Sequence, residues 1–233
     1  MSGKFFVRPS ARVVSASAGV LAAAALIAGV GIGVANAPQP VEDDLVAYGS
    51  ALTARALNPL AQPVTTSSAV ASTPAIQAQL DYALAHWNNY NTEQFGDLNP
   101  VGGDCQNFVS QSLLVRGWTM DADWYSEDAG EDWSAAWGYV PAFDEYLREH
   151  PERGATEASL DERSTIKIGD VVMFDWEGNG VLDHVQIVSS ITVVNGETKI
   201  GMAGHNTDTD FRDLDTTITV DHPGATAYFW RIP

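Results

Sequence analysis

Residues 74–233 predict an α+β domain, with N-terminal helices packed on an antiparallel β-sheet. Three observations carry this. Apolar residues recur at helical spacing in the first part of the stretch. β-branched residues run at strand length between 171 and 205. Asn195-Gly196 stands between two of those runs, a strong two-residue hairpin signal.

The chain ahead of that domain has a different character. Lys4, Arg8 and Arg12 are the only charges before Glu42, and an apolar run from Val13 to Ala35 follows them. That is the n-region and h-region of a secretory signal, so residues 1–35 are expected to be a signal peptide. Gly33-Val34-Ala35 is the preferred cleavage site, ahead of Ala35-Asn36-Ala37, which would leave Pro38 directly after the cut. An uncleaved anchor is the competing reading, because the run is long enough to span a bilayer. Its many glycines and low Leu and Ile content weigh against that, and with the leader gone no stable membrane insertion is expected. No cysteine follows the run, which argues against a lipoprotein. Residues 36–73 form an N-terminal segment and linker. A short helix is expected after Asp43-Asp44, then a stretch from 58 to 74 rich in Pro, Ser, Thr and Ala.

The formal net charge is −18. An acidic surface repels phosphate backbones and excludes nucleic acid as a partner.

The domain opens at Thr73-Pro74, an N-cap residue with proline at the first helical position. Ile76, Leu80, Leu84 and Trp87 keep helical spacing, and this helix is expected to end near Asn91. A loop with Gly96, Pro100, Gly102 and Gly103 leads to Asp104 and to Cys105, the sole cysteine. Asp104 is a favourable N-cap. Phe108, Val109, Ser112, Leu113 and Val115 give the next helix its apolar side. Cys105 therefore falls in a first helical turn, where free N–H groups and the helix dipole favour a thiolate. Exported proteins use cysteines in pairs, so a lone one is either an inert core residue or a reactive thiol. Its place after a Gly-rich loop favours a nucleophile of depressed pKa.

A cysteine nucleophile needs a base. His86 lies on a helix beside Trp87 and suits packing. His150 ends the helical stretch "VPAFDEYLREH", and His222 precedes the turn Pro223-Gly224. His184 and His205 remain. Val171 to Trp176 reads as a strand, Glu177 to Gly180 as a turn, Asp183 to Val194 as a second strand and Glu197 to His205 as a third. A two-residue turn at 195–196 sets Val194 opposite Glu197. An unbroken register then sets Gln186 opposite His205, on the face that carries His184. A bulge at Gly204 would instead put Asn206 there.

The combination of "DCQNFVSQSLLVRGW", "WSAAW", "IGDVVMFDWEGNGVLDHVQIV" and "GHNTD" resembles the bacterial putative amidase domain family, from about Ile76 to Ile232. That family is similar to the papain-like NlpC-type peptidases and CHAP amidases. The resemblance implies a papain-like fold and a cysteine amidase or peptidase. Its nucleophile would be Cys105, its base His184, and its third, orienting residue His205 or Asn206. It further implies a secreted or cell-wall-associated protein that acts on peptidoglycan or related peptides, and no cofactor. A non-catalytic cell-wall binding domain and a thioester-based acyl transferase are the rival readings. The chemistry agrees with the residues: a thiolate attacks an amide carbonyl, an imidazole protonates the leaving amine, and a polar third group fixes the imidazole tautomer. Backbone N–H groups around Cys105, with Asn99 as a weaker side-chain candidate, would hold the oxyanion. Asp104 beside the cysteine opposes thiolate formation unless its carboxylate turns toward the helix N–H groups.

Two further motifs stand apart. Asp175, Glu177, Asn179 and Gly180 match the first half of a calcium loop, but Gln186 stands at its twelfth position, so a polar hairpin turn is favoured and no metal is assigned. Trp133 and Trp137 are expected in the core, while Trp124 and Tyr125 suit either core or a substrate subsite.

Overall fold

The computed structural model describes residues 65–66 and 73–233. The leader and the remainder of the 36–73 segment lie outside the described residues. Among the described residues, no helix is long and apolar enough to cross a membrane.

Three helices lead. Helix α1 is Pro74–His86, and the Thr73 hydroxyl accepts the Ile76 N–H at 3.2 Å to start it. It stops at His86, short of the expected Asn91, and a separate turn of helix, Thr92–Phe95, follows. Its fully buried positions are Gln79 and Ala83, with the predicted apolar residues only half buried beside them. Gln79 is inside because its amide meets Ser112, Gly169 and Arg116 there. Helix α2 is Cys105–Arg116 and ends at Gly117, whose φ of 113° closes the last turn. Helix α3 is Val140–Glu149, with Pro141 in its first turn and His150 at its end.

Helix α2 is the centre of the domain. Every residue from Cys105 to Leu113 is buried, polar ones included, whereas Val115, expected on the apolar side, is exposed. A helix enclosed all round must satisfy its polar side chains internally. Ser110 donates to the Trp137 carbonyl and accepts the Trp124 indole N–H; Asn107 accepts the Trp137 indole N–H at 2.7 Å; Gln111 accepts the Tyr82 hydroxyl. Trp124 and Trp137 are thus core residues, pinned by their polar atoms.

Six strands form an antiparallel sheet: β1 Thr156–Ala158, β2 Val171–Asp175, β3 His184–Val194, β4 Glu197–Gly204, β5 Thr209–Asp213 and β6 Thr226–Arg231. The spatial order is β1-β6-β2-β3-β4-β5, and Thr65–Thr66 adds a short seventh strand on the far end of β3. One face of the sheet, including Met173, Val185, Ile187 and Ala203, packs on α2 and α3. The other, including Val172, Phe174, Val188 and Met202, packs on Leu214, Ile166 and their helical turns. Burial on both sides is why β2 reads as an unbroken apolar run.

The hairpin register begins as expected, Val194 opposite Glu197, and continues to Ser190 opposite Gly201. Asn195 at φ 53° and Gly196 at φ 87° are the left-handed pair that a type I′ turn demands. Ser189 then bulges out. Val188 pairs with Met202 and Ile187 with Ala203, one step off the original count. The Ser189 hydroxyl donates to the Asp210 carbonyl of β5 at 2.5 Å, which fixes the bulge. The register shift therefore lies in β3, where neither the unbroken ladder nor a bulge at Gly204 had placed it. It sends His205 to the helix-facing side, away from the face of His184 and Gln186.

Candidate active site

The start of α2 is capped from across the domain. Asp104 has φ −107° and ψ 0°, and its side chain makes no cap bond to the helix. The side-chain oxygen of Asn206 takes that place: its Oδ1 accepts the N–H of Asp104 at 2.6 Å and the N–H of Cys105 at 2.9 Å. Asn206 sits at φ 58° in the turn after β4, a left-handed conformation that asparagine tolerates. Its Nδ2 donates to Asn99 Oδ1. Gly103 leaves room for it: a Cβ there would meet Asn206 Oδ1 at 3.2 Å, on a backbone already at φ 134°. Asn99, considered as an oxyanion donor, instead uses its own amide N–H on Asp97 and holds Asn206.

The Asp104 carboxylate turns into the interior, correcting the expectation that it caps α2. One oxygen accepts the Leu98 N–H and the Asn107 amide, each at 2.9 Å. The other lies 2.6 Å from His205 Nδ1, and His205 Nε2 lies 2.9 Å from the His86 carbonyl oxygen. The His205 ring stacks flat on Tyr90, centroids 3.5 Å apart, and is fully buried. Both of its nitrogens are engaged, so neither is free for His184.

Cys105 is 7% exposed. Burial pushes its thiol up to about 11, with the Asp104 charge adding to the rise; the N–H groups of Val185, Gln106 and Cys105 itself pull the other way and are outweighed. The expected low-pKa thiol is thus corrected. A helix start depresses a thiol only where its N–H groups and some water are available, and here Asn206 holds the Cys105 N–H. Cys105 borders a cavity of about 430 Å³ whose walls include Trp133, Tyr139, Val181 and Asp183. Trp133, expected in the core, is partly buried: it packs against the core cluster and also lines that wall.

His184 is 4% exposed and opens β3 on the face opposite α2. Its ring stacks on Trp176 at 5.4 Å, and Trp176 stacks in turn on His222 at 4.0 Å. Burial, with the charges of Arg212 and His222, drives its pKa down to about 3, so the imidazole is neutral at ordinary pH. Its Nε2 is buried with no hydrogen-bond partner among the described residues. The described contacts join Cys105 to Asn206 and Asp104 to His205. They do not join His184 to Cys105 or to His205. The link between β3 and the sulfur is the Val185 N–H, the peptide that follows His184.

The acidic loop after β2 closes as a hydrogen-bonded turn. Asp175 accepts the N–H of Asn179 and Gly180, and Asn179 accepts that of Val181. Asp175, Glu177 and Asp183 bring their carboxylates together there. Sequence reasoning missed the Asn206 cap, the Tyr90 stack and the Val185 N–H. Each depends on long-range placement; the one local sign was Asn206 beside a glycine-containing turn.

A family model described as "Putative amidase domain" matches residues 74–230. An uncharacterized protein of Bacillus subtilis (strain 168), YhbB, is 26% identical over 132 residues, 51% of this chain and 40% of that protein. The chain thus aligns with well under half of that relative's length. No solved structure matches.

Proposed function

Because the chain belongs to the putative amidase domain family, whose model covers 74–230, we propose that it is a cysteine amide hydrolase of papain-like architecture, related to the NlpC and CHAP groups. The observation that carries this reading is Cys105 at the first turn of α2, bordering a cavity, with the Val185 N–H directed at its sulfur. The peptide joining His184 to Val185 touches the sulfur while the imidazole lies on the opposite face of the sheet, so the reaction requires the backbone at the start of β3 to rearrange and carry the ring round to Cys105.

The resting pair is a neutral thiol and a neutral imidazole, so the proton moves during attack. Sulfur bonds to the amide carbon as its proton passes to His184. The imidazolium then gives that proton to the leaving nitrogen as the C–N bond breaks. Water, deprotonated by the same imidazole, hydrolyses the thioester and returns the thiol. Val185 N–H, and Cys105 N–H once Asn206 yields it, are donors for the oxyanion. Asn206 serves as the cap of α2, and His205 as the partner that keeps Asp104 turned inward.

The leader motivates a secreted or cell-wall-associated protein, and peptidoglycan or related peptides are the substrate class that fits such a location. A non-catalytic binding domain is the second reading, favoured by the separation of His184 from Cys105. The test is mass spectrometry of peptidoglycan and of model peptides incubated with the wild-type protein and with Cys105→Ala. New amine and carboxyl ends that vanish with Cys105→Ala support the hydrolase. Unchanged substrates with both proteins leave the binding-domain reading.

A further inference from the structure

Among the described residues, six large apolar side chains are exposed by more than a third. Single exposed apolar residues are ordinary on a protein surface; a cluster of them marks a binding surface. Three of the six, Val101 at 68%, Tyr139 at 55% and Val181 at 52%, stand around the cavity that Cys105 borders. Gly138 draws this wall tight, since a Cβ there would lie 2.7 Å from the Trp133 ring.

A second cavity of about 440 Å³ lies alongside it, with Tyr139, Pro141, Val181 and Leu182 lining both. Side by side along that shared wall they are adjoining parts of a groove, each within the range of about 300–1,000 Å³ common to ligand sites. The carboxylate and guanidinium groups on its walls are Asp183 in the first part and Asp144, Asp175 and Arg148 in the second. Arg148 and Asp144 pair at 3.0 Å, and Arg148 also meets Glu157 at 2.5 Å, so the charge left on the walls is that of Asp175 and Asp183. What remains is an apolar neck beside the nucleophile in a negative field.

We propose that this groove selects a peptide with an apolar residue beside the scissile amide, seated between Val101, Tyr139 and Val181, and a basic residue next to it along the second cavity. This rests on the amide-hydrolase reading for the identity of the scissile bond. An acidic residue in the neck would meet an apolar wall beside Asp183, and in the second cavity it would meet Asp175 and Asp144, with Arg148 already paired.

Binding is measured apart from turnover, by calorimetric titration of the full-length Cys105→Ala protein with three blocked tetrapeptides. Their central pairs are Leu-Lys, Asp-Lys and Leu-Glu. The Leu-Lys peptide should bind at least tenfold more tightly than the Asp-Lys peptide and at least fivefold more tightly than the Leu-Glu peptide. The second difference should shrink as salt is raised. Val181→Glu, in the same background, should weaken the Leu-Lys peptide about tenfold with no change in thermal midpoint. Equal binding of the three peptides, no binding by any, or indifference to Val181→Glu would overturn the proposal. Turnover by the wild-type protein separates the two readings. Cys105-dependent cleavage without this selectivity removes the groove and keeps the hydrolase. Selective binding with no cleavage does the reverse.

Discussion

Asn206→Ala tests whether a residue 101 positions away sets the start of α2. The substitution takes the acceptor from two N–H groups, those of Asp104 and Cys105, and the donor from Asn99. A hydrogen bond is worth about 1 kcal/mol net, and loss of an N-cap side chain costs about 0.5–2 kcal/mol. The turn is half exposed, so water recovers part of one bond, and we expect a loss of about 1–2 kcal/mol. For a domain of this size that is a fall of about 2–8 °C in the thermal midpoint. Scanning calorimetry reads it directly. Asn206→Asp keeps the acceptor and suits the helix dipole, but faces Asn99 Oδ1 without a donor; it should fall between alanine and wild type. A midpoint for Asn206→Ala within about 1 °C of wild type, or an aspartate variant less stable than the alanine one, would refute the cap.

Iodoacetamide should alkylate native Cys105 about 300-fold more slowly at pH 7 than a free thiol of pKa about 8.5, given a thiol pushed up to about 11. Its rate should still be rising above pH 9; a plateau near neutrality would sink that picture. His184 is depressed from its ordinary value to about 3, so the unfolded chain takes up a proton that the fold refuses. That stability is complete above about pH 6.5 and is lost as pH falls toward 3, by up to about 1.4 kcal/mol per unit. Urea unfolding between pH 7 and 4 should show this slope and His184→Phe should reduce it; equal slopes would count against the neutral buried ring. His205→Ala leaves one oxygen of the buried Asp104 carboxylate without its partner and should cost about 1–3 kcal/mol beyond the packing lost, whereas His184→Ala, whose Nε2 has no bond to lose, costs packing alone. Equal losses in denaturant titration would contradict this ordering.

The strands were legible because periodicity and turn chemistry are local. Val171–Asp175, His184–Val194 and Glu197–Gly204 fall within a residue of the expected bounds, and Asn195-Gly196 is the turn. The start of α2 was legible for the same reason. The site depended on two things that local patterns do not carry. One is the Ser189 bulge, which needs the Asp210 carbonyl on another strand, and which turned His205 to the other face. The other is competition for Asp104. As a local cap it had nearby N–H groups, but a buried imidazole and an asparagine amide proved better partners. The thiol expectation failed with it, because helix-start reasoning counts N–H groups and not the burial around them.

The knot of His86, Asp104 and His205 also bears on how the domain is made. Its bonds join residues 101 and 119 positions apart. Such contacts are entropically expensive to close and form late. A chain emerging from the ribosome carries Cys105 long before it carries Asn206, so α2 has no cap and Asp104 no partner until the hairpin after it has been synthesised. The thiol therefore spends the early life of the chain in a looser, wetter setting than the one it finally occupies. Its reactivity is a property of completed topology, and a chain cut short of residue 205 would expose a cysteine with quite different chemistry.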